Sequence, residues 1–129
     1  MVIPEELRYT RDNLWVKEEN GLYVIGITDY AQDLLGEVTS VGITAGVSAA
    51  KGVGKGECLA TVESLKSVSD IMSPFAGTVV LINEALQGSP GQVNTDPYGE
   101  GWLLKLSDVD RGDFAVLLSA DDYATLLNE

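Results

Sequence analysis

The chain has 129 residues, 45% of them hydrophobic and 7% aromatic, and its 20 acidic against 8 basic residues give a formal net charge of −12. That length suits one compact domain with a mostly aliphatic core, and the charge argues against nucleic acid as a partner, because phosphate contacts need clustered Lys and Arg. With no histidine and one cysteine, Ser-His and Cys-His pairs, an internal disulfide and most zinc sites are excluded, so chemistry of its own would rest on carboxylates, lysine or tyrosine.

No apolar run approaches the length of a membrane span, and Met1-Val2-Ile3-Pro4-Glu5-Glu6 does not read as a signal peptide. The expectation is a protein of the prokaryotic cytoplasm, or of an organelle after a targeting segment is removed. An acidic surface favours solubility and basic protein partners.

In chain order, Trp15-Val16 begins a strand, Asn20-Gly21 is a tight-turn signal, and Leu22–Ile27 is the returning strand. The period then changes. Thr28 to Gly36 reads as a helix of about two turns, with Asp29 as its cap, Gln32 as the reciprocal partner and Gly36 as the stop. Leu34 and Leu35 are expected to pack it on the sheet. Glu37–Ile43 reads as a strand, Thr44–Lys51 as irregular, and Gly52-Val53-Gly54-Lys55-Gly56 as a turn. This glycine cluster lacks the spacing of a phosphate loop, and no helical pattern follows it.

Glu57–Glu63 is the next strand, with Cys58 expected as a buried core thiol. Val68–Met72 follows as another, closed by Ser73-Pro74. Strand, short polar turn and strand make a hairpin with Lys66 at its tip. An amine there stands in water, held by backbone on both sides and reachable by a modifying enzyme. Read on spacing alone, the same residue is a solubilising turn lysine.

The second half echoes the first. Gly77–Ile82 resembles Gly36–Val41, and Gly101–Leu106 resembles Glu57–Val62. Two similar β units joined at Lys66 suggest a mainly β, pseudo-symmetric flattened barrel or sandwich. Glu84–Glu100, with three glycines and two prolines, reads as loop with one helical turn. Past Ser107 two short helices are expected. Phe114, Leu117 and Leu118 share a face of the first, and Ser119 with Asp122 caps the second before Tyr123, Leu126 and Leu127.

Three collinear stretches carry a family resemblance: Gly26-Ile27-Thr28-Asp29-Tyr30-Ala31-Gln32; Glu63-Ser64-Leu65-Lys66-Ser67-Val68-Ser69-Asp70-Ile71 with Ser73-Pro74 and Gly77; and Val93-Asn94-Thr95-Asp96-Pro97-Tyr98-Gly99-Glu100-Gly101-Trp102. Together they resemble the H proteins of the glycine cleavage system over nearly the whole chain. The resemblance implies a lipoyl (biotinyl-type) barrel-sandwich hybrid. It implies a single domain over 1–129, with the barrel at about 15–106 and the helical segment at about 108–128. It implies a monomeric carrier and not an enzyme, with lipoate in amide linkage on Lys66. Biotin carriers flank their lysine with methionines, whereas Leu65 and Ser67 stand here.

The implied partners are a lipoate-protein ligase or lipoyl/octanoyltransferase, then glycine decarboxylase, aminomethyltransferase and dihydrolipoyl dehydrogenase. Glu63 and Asp70, close to the lysine, are the candidates for recognition by ligase or partner. The family's cleft for the loaded arm maps to Asp12, Asn13, Leu14 and Asp70. Here the sequence departs from the family: Asn13-Leu14-Trp15 replaces His-Glu-Trp, so a carboxylate is lost at Leu14, and Asp12 is the nearest substitute. Val41–Gly46 also lacks the usual Leu-Pro-Glu pattern. The lost carboxylate leaves a second reading open: an H-like lipoate-binding protein of bacterial sulfur oxidation, carrying sulfur intermediates for a heterodisulfide-reductase-like complex.

Overall fold

The computed structural model describes residues 2–43 and 51–128. It opens with a strand the sequence did not announce, β1 (Arg8–Tyr9), which pairs antiparallel with β2 (Leu14–Glu19). Only two residues long, β1 is held by its neighbour and by the Tyr9–Leu118 bridge more than by its own propensity. β3 (Leu22–Ile27) returns along β2 with Glu19 opposite Leu22. Asn20 and Gly21 between them both have positive φ, 52° and 82°, so the turn twists with the strands it joins.

Helix α1 (Asp29–Leu35) is capped one residue earlier than its sequence suggests. Thr28 is the cap, its Oγ1 accepting the Ala31 N–H at 3.2 Å. Asp29 sits in the first turn and accepts from Gln32 Nε2. A threonine hydroxyl can cap as an aspartate does, and here buried Thr28 ends the preceding strand at the right point. Gly36 stops the helix at φ 78°, ψ −157°, a conformation nearly restricted to glycine. Of the two leucines expected on the sheet, Leu35 is buried and Leu34 faces solvent.

Next come β4 (Val38–Ile43) and β5 (Lys51–Val53). The expected irregular stretch 44–50 lies outside the described residues, while Lys51 belongs to β5. β6 (Cys58–Ser64) and β7 (Val68–Met72) form the lysine hairpin. Cys58 is half-buried, not enclosed in the core as expected, because it starts its strand at the rim. After β8 (Gly77–Ile82) the expected single helical turn is two, α2 (Ala85–Gly88) and α3 (Gln92–Thr95). β9 (Leu104–Ser107) begins three residues later than the repeat suggested. The chain closes with α4 (Arg111–Ala115), capped by Asp110, and α5 (Ala120–Leu127), capped by Ser119 as expected.

The strands make two sheets: six in the order β1-β2-β3-β9-β8-β5, and three in the order β4-β6-β7. The two halves interleave. β4–β6 and β8–β9 are matching antiparallel pairs, but β5 of the first half adds to β8 of the second. The main core fills the space between the sheets with Leu14, Val16, Ile25, Ile27, Val41, Leu59, Val62, Ile71 and Leu104 among others.

A second cluster covers the opposite face of β1–β3: Leu7, Tyr9, Trp15, Val24, Ala120 and Tyr123. Where both faces are covered, β3 and the first half of β2 (Leu14, Trp15 and Val16) read as unbroken apolar runs instead of alternating ones, and β2 turns charged at Lys17, Glu18 and Glu19. Phe114 and Leu117 pack on the main core, whereas Leu118 turns to the second cluster. The three do not share one helical face, because α4 ends at Ala115.

Candidate functional site

Ser64 shapes the hairpin tip. Its backbone N–H donates to Ser67 O at 2.8 Å, and its Oγ accepts from Ser67 N at 3.1 Å and Lys66 N at 3.4 Å. Leu65 N donates to Glu37 O at 3.1 Å, tying the tip to the segment after α1. The backbone around Lys66 is thus held from both sides while its side chain stands exposed. Among the described residues no carboxylate forms an ion pair with it; the ion pairs seen join Glu19 to Lys17 and Lys105. The lysine stem rests against Gly36, where an added Cβ would lie 3.1 Å from Lys66 Cε and 3.7 Å from Nζ.

Beside the tip a cleft of about 200 Å³ runs between α1 and β7. Ile27, Ala31, Leu34, Leu35, Val68 and Ile71 give it an apolar lining, with Ser67 and Ser69 on the β7 side. Asp12 and Asn13 form its far wall and are shared with a second hollow of about 330 Å³, which adds Arg11, Leu14, Asp70 and Met72. One groove therefore leads from the neighbours of Lys66 to a polar end bearing two carboxylates, Asp12 and Asp70. Leu14 contributes to the wall while remaining 2% exposed in the core. The four residues expected around an arm, Asp12, Asn13, Leu14 and Asp70, thus meet in one place. Asp70 is also tied across the hairpin, accepting from Thr61 Oγ1 at 3.1 Å. Glu63 lines neither hollow; it stands exposed on the hairpin.

The loop carrying Asp12 and Asn13 is tightly bonded. Thr10 Oγ1 accepts from Asp12 N and Leu14 N, and Asn13 O accepts from Thr28 N. Asn13 has φ 67°, left-handed backbone that asparagine tolerates better than most residues. Its Oδ1 accepts from Tyr123 Oη at 2.9 Å, and that hydroxyl lies 2.7 Å from Thr28 Oγ1. Burial pushes the Tyr123 phenol up to about 12, against the opposing hydrogen bond from Thr28. Tyr123 therefore remains a donor at neutral pH.

Behind the tip, Asn94 braces the end of α1. Its Nδ2 donates to Gly36 O at 2.7 Å and Gln32 Oε1 at 3.0 Å, and its Oδ1 accepts from Val38 N at 2.8 Å. The sequence reading gave no role to Asn94, Thr28 or Tyr123. Asn94 lies inside the Val93–Trp102 stretch that carries the family resemblance, but Tyr123 reads as one more apolar position on a terminal helix. Among the described residues no group of His, Cys, Asp or Glu could hold a metal ion, and no helix is long and apolar enough to cross a membrane.

A family model described as "Glycine cleavage H-protein" matches residues 7–129. The glycine cleavage system H protein of Listeria monocytogenes serotype 4b (strain CLIP80459) is 44% identical over 128 residues, covering 99% of this chain and all of that one. That of Aeromonas salmonicida (strain A449) is 46% identical over 128 residues, covering 98% and 97%. The crystal structure of a glycine cleavage system H protein from Mycobacterium marinum superposes with a TM-score of 0.85 at 32% identity, covering 98% of this chain and all of that one. The sulfur-carrier alternative finds no support in these matches. An exposed hairpin lysine whose neighbours Ser67 and Val68 line a groove, in a fold and sequence shared with these proteins along their full length, places the chain in the glycine cleavage H-protein family.

Proposed function

We propose that this protein is the lipoate carrier of glycine cleavage, with Lys66 as the attachment point. The observation that carries the reading is the pairing of an exposed lysine, unpaired among the described residues, with a groove starting at its own neighbours Ser67 and Val68. The residues fit the group. A hydrocarbon arm suits the walls of Ile27, Ala31, Leu34 and Ile71, and a cationic load suits the hollow beyond, where the two carboxylates of Asp12 and Asp70 outnumber the one guanidinium of Arg11. The loss of a carboxylate at Leu14 is offset by Asp12, which shares the hollow with Asp70. When bound, lipoate supplies a dithiolane that accepts a group at one enzyme and gives it up at the next.

The chain's own residues fix the anchor, line the groove and meet partners; a carrier needs no catalytic residue. A rigid tip with a flexible arm keeps the reactive end at high local concentration beside a docked enzyme. The partners in this reading are glycine decarboxylase, aminomethyltransferase, dihydrolipoyl dehydrogenase and a lipoate ligase or transferase. Glu63 and Asp70 are the recognition residues nearest Lys66. The whole chain acts as one monomeric domain, its barrel at about 15–106 and its helical segment at about 108–128.

The test is intact mass after incubation with lipoate and ligase, followed by glycine decarboxylase exchange. Wild type is expected to gain one lipoyl adduct and support exchange. Lys66→Arg, on an exposed side chain, is expected to stay folded, gain nothing and support none. An adduct on Lys66→Arg, or a lipoylated wild type inert in exchange, would overturn the reading.

A further inference from the structure

We propose that Tyr123, on the C-terminal helix, is a positioning residue that aims the Asn13 amide N–H donors into the groove, where they take the carbonyl of the lipoyl–lysine amide. The inference rests on the reading of Lys66 as the lipoyl anchor.

Three hydrogen bonds set the direction. The single phenol proton of Tyr123 goes to Asn13 Oδ1 at 2.9 Å. The Thr28 hydroxyl, 2.7 Å away, therefore donates to the phenol oxygen while accepting from Ala31 N. Asn13 O is already taken by Thr28 N. The side-chain Nδ2 is the one polar group of Asn13 beyond its backbone that these contacts leave open, and Asn13 lines both hollows of the groove.

The Tyr123 ring cannot swing away, because it is fully buried and stacked on Tyr9 with centroids 4.7 Å apart and planes 6° from parallel. On the groove side, a lipoyl–lysine arm carries one strong neutral acceptor, its amide carbonyl. Of the other polar side chains there, Asp12 and Asp70 are acceptors and cannot serve a carbonyl; Arg11, Ser67 and Ser69 can donate, but of these only Ser69 lines both hollows, and with a single hydroxyl proton where Asn13 Nδ2 offers two. A donor pair at the junction of the two hollows complements that acceptor. Without the phenol, the Asn13 amide is free to turn over and present its oxygen instead.

The test uses the full-length lipoylated protein, loaded with glycine and glycine decarboxylase and then freed of enzyme. Breakdown of the loaded arm is timed in wild type, Tyr123→Phe, Asn13→Gly and the double variant; glycine keeps the positive φ at position 13. Loss of one neutral hydrogen bond predicts breakdown about fivefold faster in each single variant, with the double no faster than Asn13→Gly. The Asn13 side-chain amide resonances are expected to move on loading in wild type and to stay put in Tyr123→Phe, which a purely structural tyrosine would not bring about.

Unchanged lifetimes, additive effects, or an Asn13 amide that ignores loading in wild type would each overturn the proposal. Wild-type breakdown as fast in the folded protein as after unfolding in urea would overturn the sheltering groove itself, and the proposal with it. A sheltered wild type with unaffected variants would overturn the role of Tyr123 and Asn13 alone.

Discussion

Lys66 depends on one residue that shares no motif with it. Gly36 closes α1 at φ 78°, ψ −157°, and the lysine stem crosses it so closely that a Cβ there would lie 3.1 Å from Lys66 Cε. A side chain there meets two penalties at once, backbone strain and contact with Lys66. The strain alone is worth about 1–3 kcal/mol, and the far end of a lysine can give way cheaply. Gly36→Ala is therefore expected to lower stability in urea titration by about 1–3 kcal/mol while leaving lipoylation of Lys66 possible, the displaced stem being free to move into solvent. A loss below half a kilocalorie would mean that the chain after α1 relaxes to another conformation. Asn94 stands on the other side of the same joint, its amide holding Gly36 O, so the glycine has little room to relax.

At the scale of elements, the hairpin that presents the lysine was legible because its cause is local. An apolar run, a polar turn and another apolar run bounded by Ser73-Pro74 mark β6 and β7 in the sequence, although β6 also pairs with β4 and Leu65 N reaches Glu37 O. The same holds for β3 and β8, whose limits match their apolar runs. What stayed hidden depends on partners far along the chain. β1 exists through β2 and Leu118, and the cap of α1 moved to Thr28, a residue also held by Asn13 and Tyr123. The carboxylates of the groove could be named from the resemblance, but the bond from Tyr123 to Asn13 spans 110 positions and leaves no periodicity to read. The local nature of the tip makes it testable in isolation. Ser64→Ala removes the oxygen that accepts from Ser67 N and Lys66 N. On these exposed bonds the expected cost is about 1 kcal/mol. Hydrogen exchange is expected to speed up at the Lys66 and Ser67 amides, with β2 and β3 unaffected; equal acceleration throughout would show that the tip is not an independent unit.

For the molecule as a whole, the terminal helix is fastened by tyrosines, and that gives its stability a pH limit. Tyr9, Tyr98 and Tyr123 each have phenols raised above their ordinary value, burial being the first cause in every case, and Tyr123 reaches about 12. A raised phenol binds its proton more tightly in the folded chain than in the unfolded one. Its contribution is therefore intact below pH ~10, the unfolded value, and is lost as pH climbs from there toward the folded value. For Tyr123 the gap of about two units corresponds to roughly 3 kcal/mol at most. Wild type is expected to hold a level urea midpoint from pH 7 to 9 and to lose stability steeply between 10 and 12. Tyr123→Phe starts lower, because Asn13 and Thr28 lose a partner, but it is expected to fall less over that interval, so the two curves converge. Parallel curves would mean that Tyr123 ionises in the folded protein as freely as in water, and that the stack on Tyr9 does not exclude solvent. Convergence would tie the second apolar cluster, which lies on the far side of β2 and β3 from the main core, to the same tyrosine that reaches the groove.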